Sequence, residues 1–187
     1  MIRRNIEELK FLIGNLSEED LLAISQISSL IIETLKSKGF IFWCGNGGSA
    51  SQSQHLAAEL VGRFKDKRLP YKSLALTSDS AVITCIANDF GYENLFSRQL
   101  EALGNEGDLI IVLSSSGNSI NLKNTIKTAK SKGIKSISLL GKGGGLIKNY
   151  ADLTLIINSD NTARVQELHS FIGHIICEII EDELNEK

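Results

Sequence analysis

From Gly39 onward, short apolar segments of strand type alternate with longer segments of helical periodicity. The clearest strand is Asp108–Leu113, a short run rich in β-branched residues, which is typical of a strand buried on both faces of a sheet. Alternating strands and helices form parallel sheets covered by helices on both faces. The order therefore predicts an α/β fold, a three-layer αβα sandwich with a five-stranded parallel sheet.

The predicted elements are placed by apolar periodicity and by residues that begin or end a helix. The strands are predicted at Phe40–Trp43, Lys72–Leu76, Asp108–Leu113, Lys135–Leu140 and Leu153–Ile157. The helices are predicted at Ser80–Ala87, Asn94–Leu103, Asn121–Ser131 and Thr162–Glu186, with another after Ser49. Neither a linker nor an internal repeat interrupts this series, so residues 1–187 are predicted to form a single domain.

Residues 1–38 precede the first strand and carry two apolar stripes with helical spacing. Between the stripes, Ser17–Asp20 has the pattern of a capping box, and Gly39 occupies the place of a glycine that ends a helix. A helical pair ahead of the first strand makes no crossover in the sheet. It could close a sheet edge or supply a subunit interface, and we favour the interface, which makes 1–38 an oligomerisation element.

Composition and charge narrow the class of protein. The chain has 187 residues, 42% hydrophobic and 22% charged, which is ordinary for a soluble globular domain. A net charge of −2 without a basic stripe argues against nucleic-acid binding, and no apolar run approaches the length of a membrane span. The scattered cysteines Cys44, Cys85 and Cys177 form neither a disulfide framework nor a metal motif. We expect a cytoplasmic protein with reduced thiols.

The segment Cys44–Arg63 joins the first strand to a helix through a glycine-rich turn, Gly45–Ser49. Backbone N–H groups at such a helix start suit an anion. His55 and Glu59 are four residues apart, so they share one stripe of the helix and could bind a metal ion or transfer a proton. The turn also matches the G-x-G-x-x-A dinucleotide pattern, but the acidic residue expected about 20 positions later is missing, since Asp79 comes too late. We therefore disfavour a nicotinamide site.

A second loop of this kind, Ser114–Ser119, has the sequence Ser-Ser-Ser-Gly-Asn-Ser and follows the clearest strand. Serine hydroxyls donate hydrogen bonds, glycine lets the backbone approach a ligand, and a helix N-terminus favours negative charge. Ligands of open α/β sheets bind outside the carboxyl ends of the strands. The two loops together predict a phosphate site, although either loop alone would be interpreted as a helix cap with a surface turn.

The chain has three histidines, His55, His169 and His174. Gln166 and His174 are eight residues apart on the last predicted helix, about 12 Å along its axis. Both reach one ion only if they lean toward each other or if one serves a neighbouring subunit. His169 has three interpretations, as a metal ligand, as part of a polar helix face or as a core histidine. The segment Asn88–Phe90 is interpreted as a cap or turn, with hydrogen bonding to substrate as the alternative.

Taken together, these motifs resemble the sugar isomerase (SIS) fold and, within it, the phosphoheptose isomerases. The resemblance spans essentially the whole chain and rests on several uncommon strings in the same order. These are Cys-Gly-Asn-Gly-Gly-Ser (44–49), Gln-His-Leu-Ala-Ala-Glu-Leu-Val-Gly-Arg-Phe (54–64), Ala-Asn-Asp-Phe-Gly (87–91), Phe-Ser-Arg (96–98), Ser-Ser-Ser-Gly-Asn-Ser (114–119) and Arg-Val-Gln-Glu-Leu-His (164–169) with His174.

The resemblance implies isomerisation of sedoheptulose 7-phosphate to D-glycero-D-manno-heptose 7-phosphate by enediol proton transfer. This is the first step of ADP- or GDP-heptose biosynthesis for bacterial surface glycans such as lipopolysaccharide and capsule. The family is typically a homotetramer with active sites at subunit boundaries and one Zn²⁺ per subunit. As the resemblance suggests, Glu59 is the base and His174 its acid partner.

The same resemblance implies the remaining site residues. The implied zinc ligands are His55, Glu59, Gln166 and His174. The implied substrate contacts are Asn46, Gly47, Gly48, Ser49, His55, Glu59, Asn88, Asp89, Ser114, Ser115, Ser116, Ser119 and Gln166.

Two alternatives share this fold. A non-catalytic SIS relative binds the bacterial replication initiator as a tetramer, but it lacks the acidic residue and the second histidine of the catalytic pair. This chain has both Glu59 and His174, which favours the enzyme. Isomerases of arabinose 5-phosphate commonly carry paired regulatory nucleotide-binding domains, for which 187 residues leave no room.

Overall fold

A computed structural model describes residues 1–185 and confirms the three-layer αβα sandwich on a five-stranded parallel sheet. The strands are β1 (Ile41–Gly45), β2 (Ser73–Ala75), β3 (Leu109–Ser114), β4 (Lys135–Leu140) and β5 (Leu153–Ile156). The α-helices are α1 (Ile2–Gly14), α2 (Glu18–Lys36), α3 (Gly48–Val61), α4 (Ser80–Phe90), α5 (Ser97–Leu103), α6 (Ile120–Ser131) and α7 (Thr162–Leu184). Short 3-10 helices lie at Tyr92–Asn94 and Lys142–Ile147.

The strand order β2-β1-β3-β4-β5 places a topological switch point between β1 and β3, because the chain leaves β1 toward one side and returns to β3 on the other. In the parallel register, Gly45 at the end of β1 stands beside Leu113 of β3. The glycine turn and the serine loop therefore leave the sheet side by side. This is the edge at which open α/β sheets bind their ligands.

Alternate residues of the central strands point to opposite faces of the sheet. Trp43 and Ile111 belong to the core formed with α2, α3 and α7, whereas Cys44 and Val112 belong to the core formed with α4, α5 and α6. Every residue of β3 is buried. Burial on both faces explains why residues 109–113 of this strand are an unbroken apolar run.

The two helices ahead of the sheet are present, and α2 begins with the predicted capping box. The Ser17 hydroxyl accepts a hydrogen bond from the backbone N–H of Asp20, and the Asp20 carboxylate accepts one from the N–H of Ser17. α2 buries Ile27 and Ile31 in the core, while Phe11 of α1 is largely exposed. The role of residues 1–38 in subunit contact stays a prediction.

Two predicted helix ends are wrong. Lys38, with φ +64°, takes the left-handed conformation after α2 that was predicted for Gly39. Gly39 instead lies close to the backbone of Gly107, because a Cβ at Gly39 would lie 2.5 Å from the carbonyl oxygen of Gly107. The segment Asn88–Phe90 does not break the pattern but forms the last turn of α4, which ends at Gly91 with φ +84°.

The other boundaries differ less. Of the predicted helix Asn94–Leu103, the part from Ser97 onward forms α5, whereas Asn94 ends the first 3-10 helix. The 3-10 helix Lys142–Ile147 was not predicted. The predicted end of the last helix at Glu186 lies outside the described residues. Within residues 1–185, no helix is both long and apolar enough to cross a membrane.

Candidate active site

Helices α3 and α7 pack closely because a glycine stands at each of two contact points. A Cβ at Gly173 of α7 would lie 2.6 Å from Cδ2 of Leu56 on α3. At the start of α3, a Cβ at Gly48 would lie 2.6 Å from Nε2 of Gln166 on α7. These two glycines set the spacing of the helices that carry the candidate catalytic residues.

The side chains of His55, Glu59 and His174 meet where α3 and α7 pack, and we call them the His–Glu–His cluster. The Nε2 atoms of the two histidines are 2.8 Å apart, and Nε2 of His55 is 3.6 Å from a carboxylate oxygen of Glu59. The side chain of His55 is 48% exposed and that of Glu59 is 21% exposed. The cluster is therefore accessible from solvent.

The His–Glu–His cluster fits a metal ion. Two imidazole nitrogens and one carboxylate oxygen are donors that zinc prefers. One ligand atom from each residue lies within 4.8 Å of the others, which is the convergence that a single ion requires. Three protein ligands also leave a coordination position for a substrate or a further residue.

Gln166, the fourth predicted ligand, lies at the level of Gly48, about two helical turns before His174. The backbone carbonyl oxygen of Gln166 accepts a hydrogen bond from Nε2 of Gln52, and the same Nε2 also donates to the hydroxyl of Ser170. Within one chain, Gln166 thus lies beside the glycine turn and apart from the His–Glu–His cluster. Its role as a ligand stays a prediction.

His169 is a core histidine, the last of its three interpretations. Its side chain is fully buried, and its Nε2 is 3.3 Å from the carbonyl oxygen of Leu140. Burial lowers the pKa of His169 from 6.5 to about 4, against the opposing effect of the hydrogen bond to Leu140. The imidazole is therefore neutral at physiological pH, and it does not belong to the His–Glu–His cluster.

The serine loop divides into a structural and an accessible part. Ser114 is buried, and its hydroxyl accepts a hydrogen bond from the backbone N–H of Gly117 at 3.0 Å. Ser119 is the N-cap residue of α6, yet its side chain makes no capping hydrogen bond. Ser115, Ser116 and Ser119 are partly exposed. We conclude that Ser114 shapes the loop and that the other three can face a ligand.

The glycine run of Lys142–Ile147 supports the serine loop, a contact that the sequence did not predict. Gly117 has φ +65°, and a Cβ there would lie 2.1 Å from the carbonyl oxygen of Gly144. The backbone N–H of Ile147 donates to the carbonyl of Gly117 at 2.9 Å. Three consecutive glycines after a strand were the signal that could have indicated such a close approach.

The glycine turn after β1 presents Gly47 and Gly48 to solvent, whereas Ser49 is buried. Gly47 has φ +56°, a conformation that favours glycine. The side-chain amides of Asn46 and Asn121 exchange two hydrogen bonds, and the hydroxyl of Tyr92 lies 2.9 Å from Oδ1 of Asn46. The sequence did not indicate Asn121 and Tyr92, because they reach Asn46 only through the packing around the switch point.

Asn88 and Asp89 are exposed on the last turn of α4. Nδ2 of Asn88 donates to the Asp89 carboxylate at 2.6 Å, and the thiol of Cys85 contacts the same carboxylate at 3.7 Å. Both side chains are accessible, and their contact with substrate stays a prediction.

A buried ion pair, Arg68–Glu181, ties the chain after α3 to α7, and it was not predicted. Nη2 of Arg68 donates to the carbonyl oxygen of Glu59 at 2.8 Å, and Nε donates to Glu181 at 2.8 Å. Burial raises the pKa of Glu181, but hydrogen bonds from the backbone of Asp66, Lys65 and Phe64 and from Arg68 outweigh it and lower the pKa. The pair therefore fixes the helix end that carries Glu59.

A family model described as SIS domain matches residues 6–141 of the chain. Among curated proteins, the phosphoheptose isomerase of Akkermansia muciniphila is 47% identical over 161 residues, which cover 86% of this chain and 85% of the relative. The phosphoheptose isomerase of Helicobacter pylori is 49% identical over 158 residues, which cover 84% of this chain and 82% of the relative.

Solved structures give the same family. The phosphoheptose isomerase of Neisseria gonorrhoeae superposes with a TM-score of 0.91 at 33% identity, covering 97% of each chain. That of Francisella tularensis superposes with a TM-score of 0.90 at 34% identity, covering 97% of this chain and 96% of that one.

Proposed function

Because the chain belongs to the phosphoheptose isomerase family of SIS-domain proteins, and is thus a phosphosugar isomerase, we propose that it converts sedoheptulose 7-phosphate to D-glycero-D-manno-heptose 7-phosphate. The observation that carries the proposal is the meeting of a carboxylate, Glu59, with the imidazole of His174 in an accessible cluster. The reaction is the first step toward ADP- or GDP-heptose for surface glycans.

The proposed mechanism uses Glu59 and His174 as an acid–base pair, because an aldose–ketose isomerisation moves a proton between neighbouring carbons. Glu59 takes a proton from C1 of the ketose while His174 donates a proton to the carbonyl oxygen on C2, which gives an enediol. Glu59 then returns its proton to C2, and His174 takes the proton of the C1 hydroxyl as the C1 carbonyl forms. Both residues end in their starting protonation states.

We propose that His55, Glu59 and His174 hold one zinc ion, with Gln166 as a further ligand. When bound, such an ion supplies a positive charge that polarises a carbonyl group. A carboxylate bound to zinc is a weaker base. Zinc held by Glu59 would weaken that base, and zinc held by His174 would compete with the proton that His174 donates. The pair would therefore act while free of the ion, or the ion would have a partly structural role.

We propose that each site is completed across a subunit boundary of a homotetramer. Glu59 lies eleven residues beyond Gly48, roughly 16 Å along the axis of α3. Within one chain, the acid–base pair is therefore separated from the phosphate loops by about that distance. A heptose phosphate has to contact both. In the proposal, the loops of one subunit, with Ser115, Ser116 and Ser119, face the His–Glu–His cluster of another.

The test follows sedoheptulose 7-phosphate by NMR with wild type, Glu59→Gln and His174→Gln, each with and without zinc. Turnover by the wild type and its loss in both variants, with folding intact, is the expected result. Glu178→Gln is the matched control, because Glu178 lies one turn beyond His174 and pairs with Lys65 outside the cluster. If the zinc-loaded wild type leaves the ketose unchanged but converts another phosphosugar, the substrate assignment is wrong.

A further inference from the structure

The side chain of Asn46 has its hydrogen-bonding capacity almost fully used by two neighbours. We infer that Asn121 and Tyr92 are positioning residues that leave Asn46 with one free N–H, so that it recognises an acceptor oxygen of the ligand. The inference rests on the proposed function for the identity of that ligand, a sugar phosphate. The orientation itself follows from contacts within the chain.

The orientation of the Asn121 amide is fixed by a backbone group. Its Oδ1 accepts a hydrogen bond from the N–H of Leu122 at 2.9 Å. A backbone N–H can only donate, so the atom that faces Leu122 has to be the oxygen. The nitrogen of Asn121 then faces Asn46, and its partner there, 2.9 Å away, has to be an oxygen as well.

The same reasoning fixes Asn46. Its Oδ1 accepts from Nδ2 of Asn121 and from the hydroxyl of Tyr92, each at 2.9 Å, so both lone pairs are occupied. Its Nδ2 uses one of two protons to donate to Oδ1 of Asn121 at 3.0 Å. One N–H is left, and a ligand that binds to Asn46 has to offer an acceptor.

The position of this N–H suits a substrate. Asn46 follows β1 and Asn121 lies in the first turn of α6, directly after the serine loop. The two line a cavity of about 490 Å³ together with Tyr92, Glu93, Ser119 and Ile120. Asn121 is 2% exposed, so packing holds its amide in place. The cavity is thus lined by a fixed donor on Asn46 and by the hydroxyl of Ser119, which makes no capping hydrogen bond.

The kinetic test compares Asn121→Asp, Tyr92→Phe and Lys130→Gln in the full-length protein with sedoheptulose 7-phosphate. An aspartate at position 121 still accepts from Leu122 but has no N–H for Oδ1 of Asn46. We expect its KM to rise about tenfold with kcat nearly unchanged, the size of one lost hydrogen bond. Tyr92→Phe removes the second donor and raises KM by a smaller factor.

Lys130→Gln is the matched control, because it changes the charge of α6 by the same amount at an exposed residue nine positions beyond Asn121. Its KM should stay near that of the wild type. Equal KM values for Asn121→Asp and Lys130→Gln would overturn the inference. Because Asn121→Asp can fail to fold, Tyr92→Phe is decisive by itself: Tyr92 is 54% exposed, and an unchanged KM would also overturn it.

A second readout needs no turnover. In free protein labelled with ¹⁵N at its asparagine side chains, Tyr92→Phe should shift the Asn46 amide signals and Lys130→Gln should leave them in place. Unshifted Asn46 signals in Tyr92→Phe would directly contradict the hydrogen bond from Tyr92 to Asn46. A wild type that lacks isomerase activity but shows the expected shifts would contradict the proposed function and leave the orientation of Asn46 supported.

Discussion

Gly173 of α7 and Leu56 of α3 face each other with no space for one more carbon atom. A Cβ on Gly173 would lie 2.6 Å and 2.8 Å from the two Cδ atoms of Leu56, which is itself fully buried. Leu56 follows His55 in the chain, and Gly173 precedes His174. The contact therefore sets how closely the two imidazoles approach.

Gly173→Ala should disturb the His–Glu–His cluster without altering any of its residues. The added methyl group overpacks the interface, which costs about 1–3 kcal/mol of unfolding free energy and separates the helices. We expect lower thermal stability, a lower kcat and weaker zinc binding. Gly14→Ala is the control, because a Cβ at Gly14 meets nothing within 4 Å. A Gly173→Ala protein with wild-type kcat and zinc affinity would show that the glycine does not set the site geometry.

Ser119→Ala should separate phosphate binding from helix capping. Its hydroxyl makes no capping hydrogen bond, so the substitution should change the unfolding free energy little. If the hydroxyl binds the phosphate group, KM for the sugar phosphate rises about tenfold. Ser17→Ala is the control: it breaks a complete capping box, should cost about 1 kcal/mol of stability and should leave KM unchanged. A Ser119→Ala enzyme with unchanged KM would remove Ser119 from the phosphate site.

The sequence predicted those parts of the site that depend on local geometry. The helical period places His55 and Glu59 on one stripe, and parallel strands bring their following loops to one edge, so both features were predictable. The meeting of His174 with His55 was implied by the family resemblance but not by local rules, because it depends on how α7 packs on α3. The Asn46–Asn121 exchange and the Arg68–Glu181 pair depend on tertiary packing in the same way.

Local rules failed where a residue had a stronger tertiary role. Gly39 has the position of a glycine that ends a helix, but it is Lys38 that takes the left-handed conformation. Gly39 has to lack a side chain for another reason, because the backbone of Gly107 approaches it closely. Polar residues at 88 and 89 indicated a helix end, yet α4 continues through them because their side chains lie on its exposed surface.

His169→Gln should flatten the pH dependence of stability. The pKa of His169 in the folded chain is about 4, below its ordinary value of 6.5, so the unfolded chain binds the proton first as the pH falls. Stability from this residue is complete above pH 6.5 and is lost as the pH falls toward 4, about 2 kcal/mol of it by pH 5. Glutamine can still donate to the carbonyl of Leu140 but does not titrate.

Urea unfolding at pH 7 and pH 5 checks this expectation. The wild type should lose more unfolding free energy between the two values than His169→Gln does, even if the variant starts from a lower stability. The two proteins differ only at residue 169, so contributions from the rest of the chain cancel in the comparison. Equal losses in the two proteins would mean that His169 is not held neutral in the core.

Zinc titration of metal-free protein tests the ligand set. We expect one ion per chain in the wild type and binding weaker by at least tenfold in His55→Asn and Glu59→Gln, since loss even of a residue that only supports a ligand costs about 10–100-fold. Glu178→Gln should bind zinc like the wild type.

Gln166→Ala carries the most information, because Gln166 lies beside Gly48 and apart from the cluster in the same chain. If it completes the site of another subunit, its loss weakens zinc binding, and the wild-type affinity falls on dilution below the concentration of assembly. Unchanged affinity in Gln166→Ala would mean that one chain holds the ion through His55, Glu59 and His174.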